Sequence, residues 1–249
     1  MQDHTQEEYI CHLCSFLPER RPGTRGTKPI PKEVLIKELF KLFRTNCGWR
    51  NINHSSTCRS YLHEMQRRGL FNKFLNFITK DEVRHRHKKS TIDSSDIVSY
   101  RTNKLVRYSG KYHNYCIKLT IETTSDCVPI GGRLDIGSRP DSLILDDLLL
   151  NRDKLPYEMY LDKGYERRRD LSSKGCQVRI EMKKNVKNRK RGPRFSFTDD
   201  HKRIRGEIEK VVAWLKSFMI MRLNRLRIKS LISGIFLFCL SYIAFMRLK

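Results

Sequence analysis

The sequence is short of acid. Its 249 residues carry 27 Asp and Glu against 51 Lys and Arg, a formal net charge of +24. That balance excludes an acidic, self-solvating chain and favours a polyanionic partner. The cations are spread along the whole length, which points to nucleic acid rather than to a membrane surface. No internal repeat is visible, so a chain of this length is left with one or two ordinary domains. No secretory signal precedes the eight cysteines, which are therefore read as reduced thiols of a cytosolic protein. Cys11-His12-Leu13-Cys14 has the spacing of a zinc half-site, and Cys47, His54, Cys58 and His63 could in principle complete it. No clean second pair does so. Ile10, Leu13, Cys14 and Leu17 share one helical stripe, so core packing is the better reading. Nor is there an apolar run of the about 20 residues that a membrane span needs. The most apolar stretch, LISGIFLFCLSYIAFM at 231–246, has 16. It is expected to be a buried C-terminal helix that docks on the sheet, without stable membrane association.

What is present in excess is clustered. Lys183, Lys184, Lys187, Arg189, Lys190, Arg191 and Arg194 follow one another with no acid among them, and Arg20, Arg21, Arg25, Lys28 and Lys32 form a looser group. The scarce acids are informative where they fall. Asp162 stands directly after an apolar stretch, in Leu161-Asp162-Lys163-Gly164-Tyr165. Arg205, Glu209 and Lys216 are spaced R-x3-E-x6-K. At about 100° per residue their side chains fall within roughly 40° of one another on a helix. Ile204, Ile208, Val211, Leu215 and Phe218 make an apolar stripe beside them. Glu209 is thus placed at the edge of a buried face between two cations, as a metal ligand or phosphate-facing group would be. Glu207 falls on the far face.

The first 85 residues read as helices, over Glu7 to Leu17, Lys32 to Thr45, Ser56 to Arg68 and Leu70 to Lys80. They form a helix-turn-helix-like, DNA-binding region (1–85). From about residue 86 the period changes to that of strands: Thr91 to Val98, then 112–123 with Tyr115, Ile117, Leu119 and Ile121 on one face, then Val128 to Leu134. A helix over Ser142 to Leu150, a strand over Tyr157 to Leu161, a helix over Glu166 to Lys174, a strand over Gln177 to Met182 and the long helix bearing Glu209 follow. The order β-β-β-α-β-α-β-α is that of ribonuclease-H-like domains. The expected fold is therefore mixed α/β, a ribonuclease-H-like domain (86–249) with a mixed five-stranded sheet behind an all-helical region. In that architecture acids sit on the first strand, at the end of the fourth and on a late helix, where this chain has Asp93, Asp162 and Glu209. Asp96 competes for the first place, but three residues along a strand it points to the opposite face.

With these residues in view, the chain resembles an insertion-sequence transposase of the DDE class, bacterial or archaeal, over nearly its whole length. Thr45-Asn46-Cys47-Gly48-Trp49-Arg50 resembles the family's GxxWR turn. Ile92-Asp93-Ser94-Ser95 resembles its first-acid motif, and Gly110-Lys111-Tyr112-His113 its G-x-x-H element. Asp162-Lys163-Gly164-Tyr165 matches the second-acid motif. Arg205, Glu209 and Lys216 match three positions of the Y-x2-R-x3-E-x6-K signature, with Lys202 where the family has Tyr. Val212 stands where an aromatic is frequent.

The resemblance implies that Asp93, Asp162 and Glu209 are catalytic and hold two Mg²⁺ ions, for which Mn²⁺ can substitute. It implies phosphate contacts from Arg205, Lys216 and Lys163. The basic run from Lys183 to Arg194 is read as a further DNA-binding segment. The implied activity is cutting and joining of double-stranded DNA at terminal inverted repeats and target sites, by a homodimer in the nucleoid-associated cytoplasm. Two alternatives stand beside it. One is a decayed or domesticated copy that binds DNA without cutting. The other is a basic protein anchored in a membrane by its C-terminal helix.

Overall fold

A computed structural model describes residues 2–19, 29–80, 89–100, 103–110, 113–149, 156–162, 165, 175–180, 199–226 and 229–249. Lys163, the helix expected over 166–174 and the basic run from Lys183 to Arg194 fall outside the described residues.

Among the described residues four α-helices come first: α1 (Gln2–Phe16), α2 (Lys32–Thr45), α3 (Ser55–Arg67) and α4 (Leu70–Ile78). α2 is amphipathic and buries Leu35, Ile36, Leu39, Phe40, Leu42 and Phe43, whose spacing makes one helical stripe. It ends where Asn46 turns into the left-handed region at φ 51°, a conformation Asn tolerates. Lys32 is buried and caps a neighbour. Its Nζ donates to the carbonyls of Cys14 (2.8 Å) and Leu17 (3.0 Å) at the end of α1, and to Glu19 Oε1 (2.7 Å). Those carbonyls have no partner within their own helix, so the ammonium answers a need that helix ends create.

The sheet follows: β1 (Lys89–Ser99), β2 (Arg107–Ser109), β3 (Asn114–Thr124), β4 (Pro129–Ile136), then α5 (Asp141–Leu149), β5 (Glu158–Leu161) and β6 (Gln177–Ile180). The long α6 (Asp199–Ser217), a single turn α7 (Met219–Arg222), β7 (Leu223–Asn224) and α8 (Lys229–Leu248) complete the chain. β3 is antiparallel to β1 and to β4, whereas β5 runs parallel to β1 and β6 parallel to β5. The short β2 pairs with β3 ahead of β4, and β7 pairs in parallel with the far end of β1. Among the described residues the sheet thus has seven strands but is five positions wide, with main order β4-β3-β1-β5-β6. β2 and β7 were not expected from sequence: runs of three and two residues are too short to show a period.

β3 is buried on both faces, as a central strand should be. Ile117, Leu119 and Ile121 are buried as expected, but Tyr115 is exposed, because it lies past the stretch that helices cover. α8 differs more. It packs on β4, but also on α3 and α4, so it sits between the sheet and the N-terminal helices rather than on the sheet alone. A Cβ at Gly132 of β4 would meet Phe236 at 2.7 Å and the Thr120 carbonyl at 2.9 Å, so only glycine lets α8 lie this close. Phe238 fills a nest of rings at centroid distances of 5.7 Å (Tyr9), 4.8 Å (Phe40), 5.2 Å (Phe43) and 5.6 Å (Phe71). The Tyr9 hydroxyl meets Ser241 Oγ at 2.7 Å, which satisfies both in an apolar setting. By length and composition Leu231–Leu248 could cross a bilayer, at mean hydropathy 2.0, but 72% of that window is buried inside the protein.

Candidate active site

Strand register builds the site. Ile92 of β1 pairs with Leu161 of the parallel β5, so the next residues stand side by side, Asp93 still within β1 and Asp162 just past the end of β5. The Ser94 N–H donates to Asp93 Oδ1 at 2.8 Å. α6 crosses β1 and β5 through Ile204, Ile208, Val211 and Leu215, all buried. That stripe turns Arg205 toward the acids, where its Nη1 stands 3.0 Å from Asp162 Oδ1. Glu209 is exposed, one turn further along α6. Lys216 donates to Ser95 Oγ at 2.6 Å, two residues past Asp93 on the same face of β1. Asp96 faces the other way and accepts from Ser109 Oγ at 3.1 Å.

The electrostatics single out Asp93. Burial, then the charges of Asp162 and Glu209, push its carboxyl up to about 6, against the pull of the Ser94 N–H and Arg205. Asp93, Asp162, Glu209 and Arg205 therefore form one electrostatic neighbourhood, drawn from the middle of β1, the end of β5 and a helix. Each acid offers hard oxygen donors of the kind Mg²⁺ takes, and a divalent cation would relieve the repulsion that raises Asp93. Arg205 now supplies the positive charge at Asp162. Among the described residues no three His, Cys, Asp or Glu groups stand close enough together to share an ion. The oxygen donors are of the kind a metal takes, but they are not gathered about one point, and Arg205 pairs with Asp162.

Two supports had no role assigned to them from the sequence. Tyr165 is buried, and its hydroxyl lies 3.0 Å from Ser94 Oγ, which in turn meets Thr120 Oγ1 at 2.8 Å. The Tyr165 N–H donates to the Asp162 carbonyl at 3.0 Å. Tyr165 thus clamps the turn after β5 to β1 and fixes where both aspartates stand. The D-K-G-Y spacing was the available signal. Glu207 is also not an idle surface acid: it accepts from Cys127 Sγ at 2.9 Å and pairs with Lys210.

The chain is similar over 97% of its length to the piggyBac transposase of a synaptic complex with hairpin DNA, seen by cryo-EM. The match covers 72% of that protein at 12% identity and a TM-score of 0.50. What the two share is the fold, a mixed α/β, ribonuclease-H-like arrangement. No family model matches the sequence, and no curated protein matches it.

Proposed function

We propose that the chain is a DNA transposase of the DDE class that cuts and joins DNA at the ends of its own insertion sequence. The supporting observation is the β1–β5 register, which sets Asp93 beside Asp162 under the helix that carries Arg205 and Glu209. Asp93, Asp162 and Glu209 would hold Mg²⁺ or Mn²⁺, which when bound supplies an activated water and a stabilised leaving oxygen for phosphodiester hydrolysis and strand transfer. The protein's own work is then specific. Asp93 gives up its proton on ionising. Arg205 moves from Asp162 to a phosphate beside the scissile bond. Lys216, steadied by Ser95, meets the next phosphate along β1. Lys163 and the run from Lys183 to Arg194 hold the backbone without reading bases. The molecule acts as a homodimer on double-stranded DNA of the terminal repeats and target, in the nucleoid-associated cytoplasm.

Two observations favour a second reading, a copy that binds DNA but no longer cuts: Arg205 pairs with Asp162, and Lys202 stands in place of the signature Tyr. Duplexes taken from the DNA flanking the gene decide between them. The wild-type protein with Mg²⁺ is expected to nick such a duplex. Glu209→Gln should cut at least about 10³-fold more slowly while binding survives. Binding without nicking by the wild type would favour the second reading. Cutting by the variant at the wild-type rate would mean that Glu209 is the wrong acid.

A further inference from the structure

The face of β1 that carries Asp93 and Ser95 continues past them. Register pairs Ile97 with Ile117 and Val98 with Cys116, so Tyr115 of β3 lies on that face one step further on. Tyr108 of β2 pairs directly with Tyr115, and their rings meet edge to face at 5.8 Å. Both are more than half exposed, at 51% and 57%. Tyr115 lies six positions from Ile121, the partner of Asp93, so the rings lie about 20 Å from the acid pair along the strand. Ile97, Ile117 and Leu119 lie between them, buried under the helices, and cations stand along that covered stretch. Arg205 is at Asp162, Lys216 at Ser95, and the exposed Arg222 precedes Leu223, which pairs with Val98. Arg107, next to Tyr108, is exposed as well.

A cross-strand aromatic pair can serve only to hold its hairpin together. This pair does not bury itself in doing so, and it ends a line of positive charge that starts at the acids. Phosphates match the cations, and nucleobases match the open ring faces, because every base has a face to stack. Base-paired DNA keeps its bases stacked on one another and offers rings of this kind little, whereas unpaired bases offer their faces freely. Accordingly we infer that Tyr108 and Tyr115 form a stacking platform for unpaired bases of a DNA strand whose backbone follows Lys216 and Arg222 away from Asp93. The inference rests on the transposase reading and adds to it a site for single-stranded DNA outside the acid centre.

Two probes test it by fluorescence anisotropy, a plain duplex and the same duplex with a short single-stranded tail carrying 2-aminopurine. The wild-type protein should prefer the tailed probe and quench its 2-aminopurine. Tyr108→Ala and Tyr115→Ala should each weaken tailed-probe binding about 10-fold and relieve the quenching. Duplex binding and the melting temperature should stay unchanged. Tyr108→Phe and Tyr115→Phe keep the ring and should behave as wild type. Equal affinity of the wild type for both probes would overturn the platform while leaving the transposase reading in place. So would alanine variants that lose both probes equally. A wild-type protein that bound neither probe would remove both.

Discussion

Two apolar clusters hold this protein, and they are unequal. The larger one runs from Tyr9 through the N-terminal helices, β3 and α6 to Phe245 of α8. The smaller comprises Ile92, Leu145, Leu149, Met159, Leu161, Tyr165, Cys176, Val178 and Ile180, beneath β5 and β6 on the other face of the sheet. Ile97 of β1 belongs to the first and Ile92 to the second, so the central strand is shared. Asp93 and Asp162 each follow a residue of the smaller cluster, Ile92 and Leu161. The acids are thus held by the thinner side and covered by a helix of the thicker one. Stability is concentrated away from the chemistry, and the strand that carries Asp162 should open locally at lower cost than β3 or α8.

The largest test breaks the thick side. Phe238→Asp places an unpaired charge among Tyr9, Phe40, Phe43 and Phe71 and should cost several kcal/mol, enough to unfold the protein. Circular dichroism and recovery of soluble protein measure it. A folded variant that shifted from the membrane pellet to the soluble fraction would show that α8 serves as an anchor instead.

A smaller effect sits at the seam. The folded-state value of Asp93, about 6, lies above its ordinary 3.8. The folded protein therefore binds this proton more tightly than the unfolded chain. The associated stability is present below about 3.8 and lost as pH rises through about 6. At pH 7 the ionised carboxylate is a liability. Asp93→Asn should then be more stable than wild type by about 3 kcal/mol in denaturant titrations at pH 7, with the gain shrinking toward pH 4. A gain that did not change with pH would remove the buried-carboxylate account.

The smallest effect sharpens the contrast between the sides. Tyr165→Phe removes one hydroxyl from Ser94 and should cost about 1 kcal/mol. Hydrogen exchange should show the loss confined to β5, β6 and the start of β1. Equal loss in α8 would mean that the two clusters open together.

Much of this was legible in the sequence, for physical reasons that differ by element. α2 was readable to its ends because a single buried stripe repeats every three to four residues and stops at Asn46. β1, β3, β4, β5 and the helix of Glu209 were readable because strand and helix periods differ, and their order placed Asp93 beside Asp162. A residue's place within an element follows from its neighbours in sequence, but its partner across elements does not. The hold of Arg205 on Asp162, the clamp from Tyr165 to Ser94 and the exposure of Tyr115 are all of the second kind. So is the site of α8: a helix apolar all round announces that it is buried, but carries no stripe to say against what.

The Tyr9–Ser241 contact spans 232 positions of the chain. A core closed by contacts of such separation cannot form from local pieces, since the loop must be ordered before the rings around Phe238 reward it. Folding should be slow for a protein of this size. Until α8 arrives, the N-terminal helices leave bare the surface that receives it, and the helix itself, at mean hydropathy 2.0, has no cover. The same insertion that makes the finished protein a single closed body makes the half-folded one adhesive, so refolding yield should fall as protein concentration rises.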